Sequence, residues 1–276
     1  MALTLDEDLR WAVSQYFLGE WLLLLFDYDG TLAEFADAPG RALLPPATRV
    51  VLSTLAAQPR VRVGIISGRE LEELKRMVGL PGLFYAGTSG LECDLNGEMA
   101  THPLAQHSVG MLDALQTALE GHCRGFCGVW LERKRFGLTV HFRELEAADV
   151  PLLLENLENE LARWGDRLHV VTGARSVEII PNLGWTKGTA VDLFLERLGR
   201  KPRLVIYAGD EASDLEVLWE VGLHDGITIG VGHSSPTIAQ YELPDCQAVE
   251  LLLERLCESL GCGAVLEASR ARHDLP

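Results

Sequence analysis

Short apolar runs alternate with stretches of helical periodicity over the first third of the chain. Trp21–Phe26 is apolar throughout, and Arg60–Ile66 and Leu83–Ala86 are two further runs of largely apolar character. Such runs are typical of strands that are buried in a parallel sheet. Apolar positions recur at helical spacing in residues 5–18, 45–57 and 70–77. This alternation predicts βαβ units around a parallel sheet.

The middle of the chain follows a different pattern. Asn96-Gly97 is a hairpin signal, and the strands that follow it occur in pairs separated by helical stretches. The predicted strands are 129–134, 138–143, 168–171 and 177–180, and the predicted helices are 107–120 and 147–164. Strand pairs with intervening helices indicate a small α+β unit with an antiparallel sheet. After Pro181 the βα alternation resumes, with helices over 187–198, 214–221 and 248–260 and strands over 204–208 and 226–230.

The predicted fold class is therefore α/β, with a Rossmann-like parallel-sheet core and an inserted α+β cap domain. We expect residues 1–90 and 180–276 to form the core, and residues 91–179 to form the insertion, called the cap below. A chain of 276 residues is long enough for two such domains. Each stretch that joins them, 87–92 and 172–186, contains two glycines, so we expect hinges there.

The charge of the chain narrows the classes of partner. A formal net charge of −16 argues against broad binding to nucleic acid or to an anionic membrane. An anionic substrate would need a local positive site made by a metal ion, a lysine or an arginine. The N-terminus lacks the basic start of a signal peptide, and Trp21–Phe26 is too short to span a bilayer. We expect a cytoplasmic protein with a small-molecule partner and no membrane partner; a monomer is compatible with the sequence, which leaves the oligomeric state open.

The cysteines offer no evident metal or disulfide framework. Six are present, none in a C-x-x-C pair. We interpret them as reduced and mostly buried thiols. The sequence leaves open whether Cys123 and Cys127 have a further role.

Two aspartates directly follow the first predicted strand. Asp27 and Asp29 are spaced one residue apart before a Gly-Thr turn. In open parallel sheets, ligands bind at the carboxyl ends of the strands. Asp27 could attack phosphorus to form an aspartyl-phosphate, and Asp29 could handle the leaving-group proton. The alternative is a strand that ends in a polar turn with capping aspartates.

Two more polar features occur at predicted strand ends or helix starts. Ser67, Gly68 and Arg69 follow the second predicted strand, where a hydroxyl and backbone N–H groups could bind phosphate, or Ser67 could simply cap a helix. Lys187 begins a helix, where a cation opposes the helix dipole. That placement is easier to explain if the lysine serves a bound anion.

The fourth polar cluster is acidic. The segment Gly209–Asp214 follows the strand over 204–208 and contains Asp210, Glu211 and Asp214. These carboxylates would repel one another unless a cation joined them, and Mg²⁺ prefers a few carboxylates plus water and phosphate oxygens. An acidic helix start is the alternative for this segment alone. For each cluster alone, a capping or turn role is a real alternative. Because all the clusters are predicted at the same edge of one sheet, that alternative is improbable for the whole set.

These motifs, in this order, resemble the haloacid dehalogenase superfamily of phosphatases across nearly the whole chain. The insertion resembles the α/β cap of the type IIB branch, and within that branch the chain resembles the trehalose-6-phosphate phosphatases. The segments that carry the narrower resemblance are Asp27–Leu32, Gly90–Glu92, Leu131–Lys134, His141–Arg143, Trp185–Gly188 and Tyr241–Pro244.

The resemblance implies a two-step hydrolysis. Asp27 would attack the phosphoryl group, and Asp29 would protonate the departing sugar oxygen and then activate water. It also implies a Mg²⁺ ion held by the Asp27 side chain, the Asp29 main-chain oxygen and Asp210, with Asp214 nearby.

The remaining site residues would bind phosphate and sugar. The resemblance assigns phosphoryl oxygens to Ser67 and Lys187, with Gly68 and Arg69 beside Ser67. Glu132 and Lys134 point to the same face of one predicted cap strand. Glu178 lies in another cap strand, and the resemblance gives all three a sugar-binding role, although a solvated sheet face would explain the pattern equally well. His141 and Arg143 also share a face and are weaker candidates.

The fourth motif departs from the family pattern, because Glu211 replaces its second aspartate and Ser213 replaces its threonine. Both changes keep the chemistry but loosen the substrate assignment, and whether Glu211 contributes to metal binding stays open. Trehalose 6-phosphate is the favoured substrate; the alternatives are sucrose phosphate or a glycosyl-phosphoglycerate. A non-catalytic sugar-phosphate sensor is a further alternative; it is opposed by the presence of the nucleophile, acid and metal-ligand candidates, which are Asp27, Asp29, Lys187, Asp210 and Asp214.

Overall fold

The structure, a computed structural model, describes residues 4–35, 42–173, 175–199, 204–232 and 238–267. The helices are α1 (Leu5–Phe17), α2 (Pro46–Ala56), α3 (Leu71–Val78), α4 (Val109–Cys123), α5 (Val150–Leu161), α6 (Lys187–Leu198), α7 (Leu215–Leu223) and α8 (Cys246–Ser259). The strands are β1 (Leu22–Phe26), β2 (Val61–Ile66), β3 (Phe84–Gly87), β4 (Glu92–Leu95), β5 (Met99–Thr101), β6 (Trp130–Lys134), β7 (Gly137–His141), β8 (Leu168–Thr172), β9 (Ser176–Pro181), β10 (Leu204–Gly209), β11 (Ile227–Val231) and β12 (Tyr241–Leu243).

The core is an eight-stranded sheet in the order β12-β11-β10-β1-β2-β3-β4-β5. The strands from β12 to β3 are parallel, and β4 and β5 are antiparallel additions at one edge. Every residue of β1 is buried, because helices cover both faces of the sheet at this central position. Leu22, Leu24 and Phe26 belong to one hydrophobic cluster, and Leu23 and Leu25 belong to the cluster on the opposite face.

A separate four-stranded antiparallel sheet, in the order β6-β7-β9-β8, is formed by residues 130–181. One face of this sheet packs against α4 and α5 through apolar residues that include Leu115, Leu138, Val140, Leu157 and Ile179. The predicted α/β class, with a mostly parallel core and a separate antiparallel sheet, is confirmed.

The predicted start of the cap at residue 91 differs from the structure at residues 92–101. The sequence analysis places them in the cap, but β4 pairs with β3 and β5 pairs with β4, so they extend the core sheet. The Asn96-Gly97 turn has positive φ at both residues, as a tight hairpin requires. A hairpin signal indicates local pairing only and does not identify the sheet that the hairpin joins.

The three-residue edge strand β12 was not predicted, because it is too short to show a period. Among the described residues, none of the helices has the length and apolar content needed to cross a bilayer.

Candidate active site

The strand order brings the predicted polar clusters to one edge of the core sheet. β1 lies between β10 and β2, and all three strands run parallel. Asp27, Ser67 and Asp210 directly follow these strands, so they emerge side by side at the carboxyl edge. All three are buried. Lys187, the first residue of α6, reaches the same place with its ammonium group.

Lys187 is the hub of the buried charges at this edge. Its Nζ atom lies 2.8 Å from Asp27 Oδ1, 2.8 Å from Asp214 Oδ1 and 3.0 Å from Ser213 Oγ. Lys187 is only 4% exposed, so the ammonium group depends on these oxygens in place of water. Burial alone would lower the pKa of Lys187, but Asp214 and Asp27 raise it well above its usual value. Lys187 is therefore a permanent cation beside Asp27.

Asp214 orders the loop after β10. Its Oδ1 atom accepts hydrogen bonds from Lys187 and from the Tyr207 hydroxyl at 2.7 Å. Its Oδ2 atom accepts bonds from the backbone N–H groups of Asp210 at 2.9 Å and Glu211 at 3.0 Å. Both oxygens of Asp214, predicted as a metal ligand, are thus already engaged by the protein.

Asp210, in contrast, has an oxygen without a partner. Its Oδ1 atom is buried and makes no hydrogen bond within the described residues. Burial, together with Asp27 and Asp214, raises the pKa of Asp210 to about 10. Burial and Asp214 also raise the pKa of Asp27, against the opposing effect of Lys187. The three carboxylates at this edge therefore carry more negative charge than the single ammonium group of Lys187 can neutralise.

The acidic residues at this edge could hold a metal ion. Ligand oxygens of Asp27, Asp210 and Asp214 all lie within 4.8 Å of one another. A hard cation prefers such oxygens and would supply the positive charge that the unpartnered Asp210 oxygen lacks. Gly30 lies against the same group: a Cβ atom at this residue would overlap Asp210 Oδ2, and its φ of +85° is one that glycine adopts without strain.

Asp29 and Arg69 form a bidentate pair. Arg69 Nε lies 2.6 Å from Asp29 Oδ2, and Nη2 lies 2.7 Å from Asp29 Oδ1. The same guanidinium group donates to Glu73 at 3.1 Å. Arg69, predicted to bind phosphate, is thus committed to two carboxylates in this structure. The backbone N–H of Arg69 donates to Ser67 Oγ at 3.2 Å, which fixes the turn after β2.

The cap sheet presents a polar face to this edge. Alternation along β6 places Trp130, Glu132 and Lys134 on one face, and cross-strand register places Thr139, His141 and Glu178 on the same face. Leu131, Val140 and Ile179 point the other way, into the hydrophobic cluster of the cap.

The cap meets the core at the loop after β2. Lys134 Nζ donates to the Gly68 carbonyl oxygen at 2.8 Å and lies 3.8 Å from Glu178 Oε1. Glu178 Oε1 is buried and has no hydrogen-bond partner in the described part of the chain. A Cβ atom at Gly68 would lie 2.6 Å from it, so the residue between Ser67 and Arg69 must be small for the cap to approach.

One cavity connects these groups. It is lined by every predicted site residue except Asp214, which lies behind its wall. The sequence analysis did not select several other lining residues: Phe35, Trp130, Thr139, Glu144, Arg175 and Ser176. The alternation that paired Glu132 with Lys134 also contains Trp130, so that residue could have been found. Phe35 and Arg175 lie outside the helices and strands, where no periodic signal exists.

Solved structures share this fold. The C-terminal domain of the Candida albicans trehalose-6-phosphate phosphatase aligns with a TM-score of 0.80, at 20% identity, over 91% of this chain and 97% of that chain. A haloacid dehalogenase-like hydrolase from Bacteroides thetaiotaomicron aligns with a TM-score of 0.62, at 17% identity, over 86% of this chain and 100% of that chain. The fold is that of the haloacid dehalogenase-like hydrolases.

Sequence comparison narrows this class to a family. The trehalose-phosphatase family model matches residues 25–247, and the chain belongs to that family. The trehalose-phosphate phosphatase of Mycobacterium tuberculosis H37Rv is 32% identical over 248 residues, covering 86% of this chain and 61% of its own length. A probable trehalose-phosphate phosphatase C of Arabidopsis thaliana is 30% identical over 253 residues, covering 86% and 77%. The chain thus spans about three-fifths of the length of the mycobacterial relatives it matches.

Proposed function

We propose that this protein is a Mg²⁺-dependent phosphatase that hydrolyses trehalose 6-phosphate to trehalose and phosphate. The observation that carries the proposal is Asp27, a buried carboxylate in the cavity that is bonded at 2.8 Å to Lys187. Family membership and the names of its relatives support the substrate.

In the first step, an Asp27 oxygen attacks phosphorus and the bond from phosphorus to the sugar oxygen breaks. An aspartyl-phosphate forms, and the departing sugar oxygen takes a proton from Asp29. Phosphoryl transfer depends mainly on positioning and on neutralisation of charge. Lys187 and the Ser67 hydroxyl supply donors for the phosphoryl oxygens.

In the second step, Asp29 removes a proton from water, which attacks phosphorus and releases phosphate from Asp27. Both oxygens of Asp29 accept hydrogen bonds from Arg69 in this structure, and Asp29 still lines the cavity. Arg69 would therefore position Asp29 for both proton transfers.

The Asp27 and Asp210 side chains are the best placed residues to hold Mg²⁺, and Asp214 supports them through the loop. When bound, Mg²⁺ would neutralise charge on the phosphoryl group. The unpartnered Asp210 Oδ1 atom supports this assignment. Burial raises the pKa of the Glu211 carboxyl group. The contact between Glu211 and Asp214 is made by the backbone N–H of Glu211, which donates to Asp214 Oδ2.

The antiparallel unit would act as a cap that recognises the sugar. Glu132, Lys134 and Glu178 face the cavity and offer carboxylate and ammonium groups to hydroxyls. A second candidate substrate is another glycosyl phosphate, such as sucrose phosphate, because these carboxylate and ammonium groups would also suit its hydroxyls.

The test is phosphate release from trehalose 6-phosphate, sucrose 6-phosphate, glucose 6-phosphate and a glycosyl-phosphoglycerate, with Mg²⁺ and with a chelator. We expect a strong preference for trehalose 6-phosphate that disappears with the chelator. Turnover of another member of the panel would preserve the mechanism and refute the substrate. No turnover of any member, with binding retained, would favour the sensor.

A further inference from the structure

The outer end of the polar cap face carries a stacked pair that the proposed reaction does not use. The rings of Trp130 and His141 have centroids 3.7 Å apart and an interplanar angle of 12°. The two residues are directly opposite each other on β6 and β7. Both residues line the cavity, and neither belongs to one of the phosphate motifs.

His141 also holds a carboxylate of the cap face. Its Nε2 atom lies 2.8 Å from Glu132 Oε2. Hydrogen bonding to His141 and the positive charge of Lys134 lower the pKa of Glu132, although burial acts in the opposite direction. The stack fixes the plane of the imidazole, and the imidazole fixes the carboxylate. His141 is thus placed to position Glu132.

Burial changes in one direction along β6. Lys134, which contacts the core, is 6% exposed, whereas Trp130 at the other end is 39% exposed. Three side chains on one face therefore form a column from the phosphate end to the mouth of the cavity. Four residues of strand at a rise of about 3.3 Å each give a column about 13 Å long. One sugar ring cannot contact both ends of a column of this length.

We propose that Trp130 and His141 bind the sugar ring farthest from the phosphate, and that His141 positions the Glu132 carboxylate for a hydroxyl nearer the middle of the substrate. Aromatic faces pack well against the C–H faces of sugars, and the indole keeps a polar edge toward water. This inference rests on the proposed function, since it assigns a role to the same cavity.

The test measures binding by calorimetry in the Asp27→Asn background, so that turnover does not interfere. The ligands are trehalose 6-phosphate, sucrose 6-phosphate and glucose 6-phosphate. We expect Trp130→Ala and His141→Leu each to weaken binding of the preferred disaccharide phosphate about tenfold, equal to about 1.4 kcal/mol. Binding of glucose 6-phosphate should weaken far less, because one ring does not reach the stack.

Conservative variants separate positioning from a structural role. Trp130→Phe retains an aromatic face, and His141→Gln retains an N–H donor, so both should recover most of the lost affinity. The exposed His107 of the cap provides a control, since His107→Leu should leave every affinity unchanged. Equal loss of affinity for all three ligands would overturn the inference, as would no loss for any of them.

The two proposals fail in different ways. A protein that binds disaccharide phosphates through Trp130 but releases no phosphate would refute the proposed hydrolysis and support this inference. If the Trp130→Ala variant hydrolyses trehalose 6-phosphate as fast as the wild-type protein and with the same KM, this inference alone is refuted.

Discussion

Replacement of Lys187 tests the electrostatic account of the site most severely. Lys187→Met keeps much of the side-chain volume but removes the ammonium group that bonds to Asp27 and Asp214, both at 2.8 Å. Breaking a buried ion pair by removing one partner costs about 3–5 kcal/mol, because the other charge stays buried and unpaired. For a chain of this size we expect a fall in Tm of roughly 6–20 °C.

Proton uptake by a buried carboxyl group reduces the destabilisation caused by Lys187→Met and makes it depend on pH. In the variant, the Asp27 carboxyl group, whose pKa burial raises, can take up a proton, and an acid whose pKa is raised by folding stabilises the protein less as pH rises. The destabilisation should therefore be largest at high pH and shrink as pH falls. Urea denaturation followed by circular dichroism, in the presence of a chelator and at several pH values, measures this.

Lys75 supplies the matched control. Its side chain is 30% exposed and lies 2.7 Å from Asp94, so Lys75→Met removes an ion pair that water still reaches. Such a pair contributes less than about 1 kcal/mol. Equal destabilisation by both substitutions, or a Lys187→Met cost that does not depend on pH, would refute the account of a buried cationic hub.

Three further predictions concern the metal site and the cap. Gly30→Ala should destabilise the protein and weaken Mg²⁺ binding more than Gly97→Ala, since both have positive φ but only Gly30 faces Asp210; equal effects in denaturation and metal titration would contradict this. Because the pKa of Asp210 is raised from 3.8 to about 10, the metal-free protein should lose stability as pH rises through that range. Mg²⁺ should also release protons when it binds. Calorimetry in buffers of different ionisation enthalpy measures this release, and binding without proton release would contradict the prediction. Gly68→Ala should raise KM for the sugar phosphate, because its methyl group would displace Glu178; an unchanged KM in steady-state kinetics would exclude that contact.

Much of the site could be predicted because its residues directly follow strands. A buried strand such as Leu22–Phe26 is recognisable from its apolar run, and a parallel sheet aligns the carboxyl ends of such strands. Asp27, Ser67 and Asp210 could therefore be placed together without knowledge of side-chain contacts. The position of Lys187 at the start of a helix indicates an anion only in combination with the other clusters, and its role beside phosphate comes from the family resemblance.

Pairings between distant segments could not be predicted in this way. The bidentate contact between Arg69 and Asp29 depends on rotamers at the ends of two neighbouring strands, which no period encodes. The stack of Trp130 on His141 depends on the register of β6 against β7. The placement of residues 92–101 in the core sheet depends on which open edge the hairpin meets.

The identity of the nucleophile is the central claim, and chemical trapping tests it directly. The protein is quenched during incubation with trehalose 6-phosphate and treated with borohydride, which reduces an aspartyl-phosphate to homoserine. Mass spectrometry of the peptides then locates the change. The account predicts homoserine at position 27 in the wild-type protein and none in Asp27→Asn, which should also lose turnover. Homoserine at another aspartate, or full turnover by Asp27→Asn, would contradict it.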